Sequence, residues 1–119
     1  MNPVIGLSIG RIAVGATALA NPEFAARTFQ LDTASNPQVA YMTRLFGSRE
    51  VALGVVTLLV RGRKAQRGLI GVGILVDAAD AATGYLGMQE GVVTRKAAMG
   101  VIAPALGAVA SGVVGFVRT

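Results

Sequence analysis

Apolar residues fall in four blocks along the chain, at about residues 3–20, 38–60, 68–88 and 97–117, with polar stretches between them. A helix rises about 1.5 Å per residue, so roughly 20 residues cross a hydrocarbon layer of about 30 Å. The blocks have that length, which predicts four membrane-spanning helices. The first is closed by Asn21 and Pro22; the second opens after Ser35 to Pro37, where serine or asparagine can cap and proline suits a first turn. Between them, Phe24, Ala25, Thr28, Phe29 and Leu31 are interleaved with Glu23, Arg27 and Asp32. That pattern fits a short amphipathic turn on the membrane surface and equally an ordinary connecting loop. The expected fold class is all-α, an integral membrane four-helix bundle forming one transmembrane domain over residues 1–119. A signal peptide is the competing reading of the first block, with "ALA" at 18–20 as its cleavage site. The block lacks a basic leading region and Arg11 interrupts its apolar run, so it is read as a retained helix.

Charges break the apolar blocks at six places. The first block holds Arg11, the second Arg44, Arg49 and Glu50, the third Asp77 and Asp80, and the fourth none. The charges sum to zero if all six are ionised. A lone charge at the bilayer centre costs on the order of 3 kcal/mol on insertion scales, so such groups normally pair and face protein. Arg11, the Arg49–Glu50 pair and Asp77 to Asp80 each lie near the middle of their block, which brings opposite charges to one depth.

Helical spacing sorts these residues onto faces. Gly73, Asp77, Asp80 and Gly84 form one stripe of the third helix. Arg44, Gly47, Val51 and Gly54 form another on the second, with Glu50 about 60° from Gly47 and Arg49 about 140° from Arg44 at the helical angle per residue. Glycines beside charges let backbones approach closely. The first helix adds Gly6 and Gly10 before Arg11, and the fourth adds Gly100, Ala103, Gly107, Ser111 and Gly115. Pro104 on that face reads as a tolerated kink. The ionic network has two readings: it fixes helix register, or it handles a proton or a ligand.

Composition narrows the chemistry. The chain is 53% hydrophobic and 14% charged, with no cysteine, histidine or tryptophan, and its mean hydropathy is +0.61. A soluble domain normally carries about 25% charged residues, so lipid is the expected solvent for much of the surface. Disulfides, thiolate metal sites, cysteine nucleophiles and serine–histidine chemistry lack their residues. Neither a metal, a cofactor nor a catalytic constellation is expected, and the chain reads as not an enzyme. The net charge of +5 is concentrated in Arg61, Arg63, Lys64 and Arg67, between two apolar blocks. A cytoplasmic loop explains that run under the positive-inside rule, and no nucleic acid is expected. The protein is then multi-pass in the inner (plasma) membrane with both termini cytoplasmic. Arg118 agrees with this orientation, and Arg95 with Lys96 opposes it.

The stretches "RLFGSREVALG" (44–54) and "VDAADAA" (76–82) resemble an uncharacterised family of small four-helix membrane proteins common in actinobacteria, and more distantly the DoxX-like four-helix proteins. The resemblance rests on Gly6, Arg11, Gly15, Ala18 and Leu19; on Asn21, Pro22, Ala26 and Arg27; and on Arg44, Phe46, Gly47, Arg49, Glu50, Gly54, Asp77 and Asp80. It implies a fold and a membrane location and carries no catalytic role. Three functions are weighed: a non-enzymatic module that self-associates or joins a larger membrane complex, a transporter or proton relay using the ionic network, and a redox or quinone-linked protein.

Overall fold

The computed structural model describes residues 3–119; residues 1 and 2 of the expected domain lie outside the described residues. Among the described residues the structure is all-α and has five helices rather than four: α1 (Pro3–Ala20), α2 (Pro22–Thr28), α3 (Gln38–Leu59), α4 (Arg63–Gln89) and α5 (Arg95–Arg118). The additional helix is α2, in the stretch between the first two apolar blocks. The Asn21 side chain accepts a hydrogen bond from the Phe24 N–H at 3.2 Å, and Pro22 occupies the first turn. A helix therefore restarts one residue after α1 ends. It ends at Thr28, and just beyond its Phe29 cap Gln30 turns the chain with a left-handed φ of 64°. Farther along, the Ser35 hydroxyl and N–H and then the Ala34 N–H donate to Asp32, holding its carboxyl below the usual range.

A second correction concerns the basic run. Gly62, with φ 93°, turns the chain so tightly that α4 begins at Arg63. Arg63, Lys64 and Arg67 are thus in the first turns of a helix, and of the expected basic loop only Arg61 lies in the connection. At the other end of this helix, Gly91 has φ 72° and Thr94 caps α5 through the Ala97 N–H at 3.1 Å.

α1, α4 and α5 are long and apolar enough to cross a membrane. α3 has 22 residues but holds Arg44, Arg49 and Glu50 too close together to join that set. The four long helices run up and down, α1 packed extensively on α3 and α4 on α5, while the α1–α5 and α3–α4 joins are thinner. Burial is inverted relative to a water-soluble domain. The buried apolar residues are mostly alanines, and the buried polar ones are Ser8, Arg11, Thr43, Glu50, Thr57 and Asp77. Outside, Leu59, Leu75, Val92 and Val117 are each more than 70% exposed. Small residues inside and large apolar ones outside are what close helix packing in lipid produces.

The closest packing is between α1 and α3. The buried residues of α1 are Val4, Ser8, Arg11, Gly15 and Ala18, and those of α3 are Thr43, Gly47, Glu50, Gly54 and Thr57. Both sets step by four and three residues, the spacing of a coiled-coil seam. A Cβ on Gly15 would lie 2.5 Å from the Gly47 carbonyl oxygen, and one on Gly47 would lie 2.7 Å from that of Gly15. A Cβ on Gly54 would meet the Ser8 carbonyl oxygen at 2.7 Å. The expected packing glycines therefore divide. Gly47, Gly54, Gly73 and Gly84 contact neighbouring helices, and Gly6 and Ser111 are half-buried. Gly10 and Gly107 instead face outward with no atom within 4 Å of an added Cβ. Each lies off its helix's buried line, so the small-residue pattern marked them without the seam using them.

Gly15→Ala and Gly47→Ala should each destabilise the protein by about 1–3 kcal/mol through overpacking against rigid backbone. Gly10→Ala and Gly107→Ala should leave stability unchanged or slightly higher. Unfolding in mixed detergent, followed by helical circular dichroism, measures all four.

Candidate functional site

Arg11 lies midway along α1, on the seam facing α3 and α4. Its Nη1 donates to Glu50 Oε2 at 2.9 Å and to Asp77 Oδ1 at 3.0 Å. Its Nη2 donates to Asp77 Oδ2 and, at 3.4 Å, to the Gly73 carbonyl oxygen. Gly73 is the residue that admits the guanidinium, since a Cβ there would lie 3.1 Å from Arg11 Nη2. One side chain thus ties α1, α3 and α4 at a single level. The side chains of Arg11, Glu50 and Asp77 are 8%, 7% and 6% exposed.

Arg49 points from α3 toward α4. Its Nη2 donates to Asp80 Oδ2 at 2.9 Å and to Glu50 Oε1 at 3.2 Å. Its guanidinium carbon lies 5.2 Å from the centre of the Phe46 ring, within cation–π range. The Asp80 and Arg49 side chains are 24% and 40% exposed, so this part of the network is more open than the Arg11 hub.

Arg44 lies outside the network, which corrects the stripe of Arg44, Gly47, Val51 and Gly54. The buried line of α3 starts from Thr43, one residue earlier. Arg44 is exposed, and its Nε donates to the Leu19 carbonyl oxygen at 3.4 Å. That carbonyl is in the last turn of α1, where the helix supplies no partner. The zero charge sum is corrected with it. Arg11 and Arg49 face Glu50, Asp77 and Asp80, and the joined network is one negative charge in excess when all five are ionised.

The excess can be located. Glu50 accepts on both oxygens and so does Asp77. Asp80 accepts only on Oδ2, from Arg49, and its Oδ1 has no hydrogen bond among the described residues. Asp80 also lines an open-mouthed cavity of about 670 Å³ to which all four long helices contribute wall residues. Arg11, Glu50, Asp77 and Asp80 form its charged floor. Val39, Met42, Phe46 and Val101 are among its apolar walls, and Phe29, Leu31, Asn36, Val92 and Val93 surround the end nearest the 29–37 and 90–94 connections. The Thr43 and Thr83 hydroxyls on its wall donate to Val39 and Ala79 carbonyls one turn back.

The opposite end of the bundle is closed. A Cβ on Gly115 would collide with Val4, Arg63 Nε donates to the Thr119 carbonyl oxygen, and Arg67 lies 4.1 Å from the Phe116 ring centre. Sequence reasoning missed the cavity. It also missed Thr43 and Thr57, although their four-and-three spacing with Gly47, Glu50 and Gly54 was present to be read.

Replacing Arg11 should be the most damaging single change in the network. Arg11→Gln leaves Glu50 and Asp77 buried together, at a cost of about 3–5 kcal/mol. Adding Asp77→Asn should recover part of that loss, so that the double variant is more stable than the sum of the singles requires. Arg44→Gln should cost no more than about 1 kcal/mol. Equilibrium unfolding of the four variants decides, and an Arg44 effect as large as that of Arg11 would place Arg44 back in the network.

No curated protein and no solved structure matches the chain. One family matches, over residues 8–118, and it is described as a domain of unknown function, DUF4267. The matched stretch includes Arg11, Arg49, Glu50, Asp77 and Asp80 together with nearly all of the cavity wall. The chain belongs to the DUF4267 family.

Proposed function

We propose that this chain is a non-enzymatic integral membrane module whose cavity takes up a small, largely apolar ligand. All four long helices cross the plasma membrane, α3 included, because Glu50 and Arg49 pair with Arg11 of α1 and Asp80 of α4, and Arg44 reaches the end of α1. The cavity carries this reading. A bundle built only to hold itself together has no use for an open-mouthed cavity of about 670 Å³ beside its most expensive side chains.

Orientation follows from charge. The closed end holds Arg61, Arg63, Lys64, Arg67 and Arg118 and no acidic side chain, which makes it the cytoplasmic end under the positive-inside rule. Both termini are then cytoplasmic, and the cavity opens toward the opposite face. The paired state of the network supports a binding role over a chemical one, since Glu50 and Asp77 have every oxygen engaged by arginine. A second reading, transport or proton relay through the same cavity, is favoured by the unengaged Asp80 Oδ1. Gly10 and Gly107, facing outward, offer close approach to a second copy or to a larger membrane protein.

The absence of native cysteine makes accessibility direct to measure. In spheroplasts treated with a membrane-impermeant thiol reagent, Thr83→Cys on the cavity wall should react from outside. Arg61→Cys should react only after permeabilisation. Leu75→Cys, on a residue 72% exposed on α4, should stay unreacted because lipid covers it. Labelling of Leu75→Cys as fast as Thr83→Cys would refute the membrane assignment, and outside labelling of Arg61→Cys would invert the orientation.

A further inference from the structure

We infer that the cavity selects an amphipathic organic monocation, held by Asp80 and by the apolar wall above it. This rests on the cavity-binding reading and adds the ligand's charge. Two observations carry it independently. The first is the charge count: two arginines shared among three acids leave the network one negative charge in excess when all five are ionised. The second is geometric. Among the six carboxylate oxygens of Glu50, Asp77 and Asp80, only Asp80 Oδ1 accepts no hydrogen bond among the described residues, and Asp80 stands on the cavity wall.

The rest of the lining is consistent with a cation and poorly suited to an anion. Arg11 is the only basic side chain on the wall, and its guanidinium is already engaged by two acids and the Gly73 carbonyl. Arg49 does not line the cavity. The threonine hydroxyls donate to their own helices. An anionic ligand would therefore meet three carboxylates, while the one buried unpaired donor among the described residues, Arg49 Nε, belongs to a side chain that does not line the cavity. A cation without an apolar body would leave most of the wall unfilled, because Val39, Met42, Phe46 and Val101 offer it nothing polar.

Three probes of one shape separate charge from fit: methyltriphenylphosphonium, the neutral triphenylphosphine oxide and the anionic triphenylacetate. Each is tritiated and bound to the purified full chain in neutral-detergent micelles, with protein-free micelles as blank. The phosphonium should bind saturably at one per chain and at least about tenfold tighter than the oxide, the factor one coulombic contact with a part-buried carboxylate supplies. Triphenylacetate should not bind. Asp80→Asn should bring the phosphonium down to the affinity of the oxide and leave the oxide unchanged. If Asp80→Asn does not fold, Arg49→Gln serves instead: it frees Asp80 Oδ2 as well, and the phosphonium should bind tighter still.

Oxide binding as tight as phosphonium binding, or selectivity that survives Asp80→Asn, would overturn the inference and leave the cavity reading standing. Arg49→Gln that binds the phosphonium no tighter than the parent would overturn it too. Absence of saturable binding by every probe would overturn both. Gly100→Leu checks that the cavity is the site, since Gly100 lines it and has no atom within 4 Å of an added Cβ. It should weaken phosphonium and oxide alike, and unchanged binding would place the probes elsewhere and overturn the assignment.

Discussion

The contact on which the structure depends is the Arg11 guanidinium between Glu50 and Asp77. For helices long and apolar enough to cross a membrane, lipid would provide no hydrophobic drive for helix to meet helix, and association would depend on close packing and on polar bonds between helices. Arg11 supplies the polar bonds for three of the four long helices at once. The glycines are arranged to permit it. One turn to one side of Arg11, Gly15 meets Gly47 backbone to backbone; one turn to the other, Gly54 meets Ser8. A side chain at any of these positions would spread α1 from α3 and lengthen the 2.9 Å contact to Glu50. Ionic pairing and glycine packing therefore set the same register, and neither can slip without breaking the other.

The two ends of the bundle differ for reasons that start from this hub. Toward the chain termini, α4 and α5 are drawn in by Gly112 against Ile74 and Gly115 against Val4, and the space closes. Toward the 29–37 and 90–94 connections, α1 with α3 and α4 with α5 remain two pairs, and the α3–α4 join is thin. Space opens between the pairs, with the ionic network as its floor. Asp80 and Arg49 sit where the tight part gives way to the open part, which is why they are more exposed than Arg11, Glu50 and Asp77.

Much of this was legible because hydropathy and helical period are written residue by residue. The common depth of Arg11, Glu50 and Asp77 follows from their positions in apolar blocks, and Gly73, Asp77, Asp80 and Gly84 share a face at any helical rotation. α3 was harder. Residues 43 and 44 are one step apart, and counting the stripe from the charged one gave the wrong line. An arginine can reach a helix-end carbonyl from an exposed position, and the Leu19 carbonyl was available. α2 and the early start of α4 turn on local capping and on one left-handed glycine, and apolar block length registers neither. The cavity was not legible at all. Its volume depends on how far two helix pairs splay, and no single helix's periodicity records that.

The corrected place of Arg44 also changes what the network implies. With Arg44 included, six charges cancel and register is a sufficient explanation. Without it, the network holds an odd number of charges where packing takes them from water and each is costly, although an arginine stands on the same helix, five residues before Arg49, bonded to a carbonyl instead. A network under selection for stability alone would be expected to recruit that arginine or to omit one acid. The surplus falls on the one acid with an unengaged oxygen, on the wall of the cavity, at the edge of the tight packing. Charge count, hydrogen bonding and cavity position agree on Asp80. Arg11, Glu50 and Asp77 account for the architecture, and Asp80 is the member of the network that the architecture does not require.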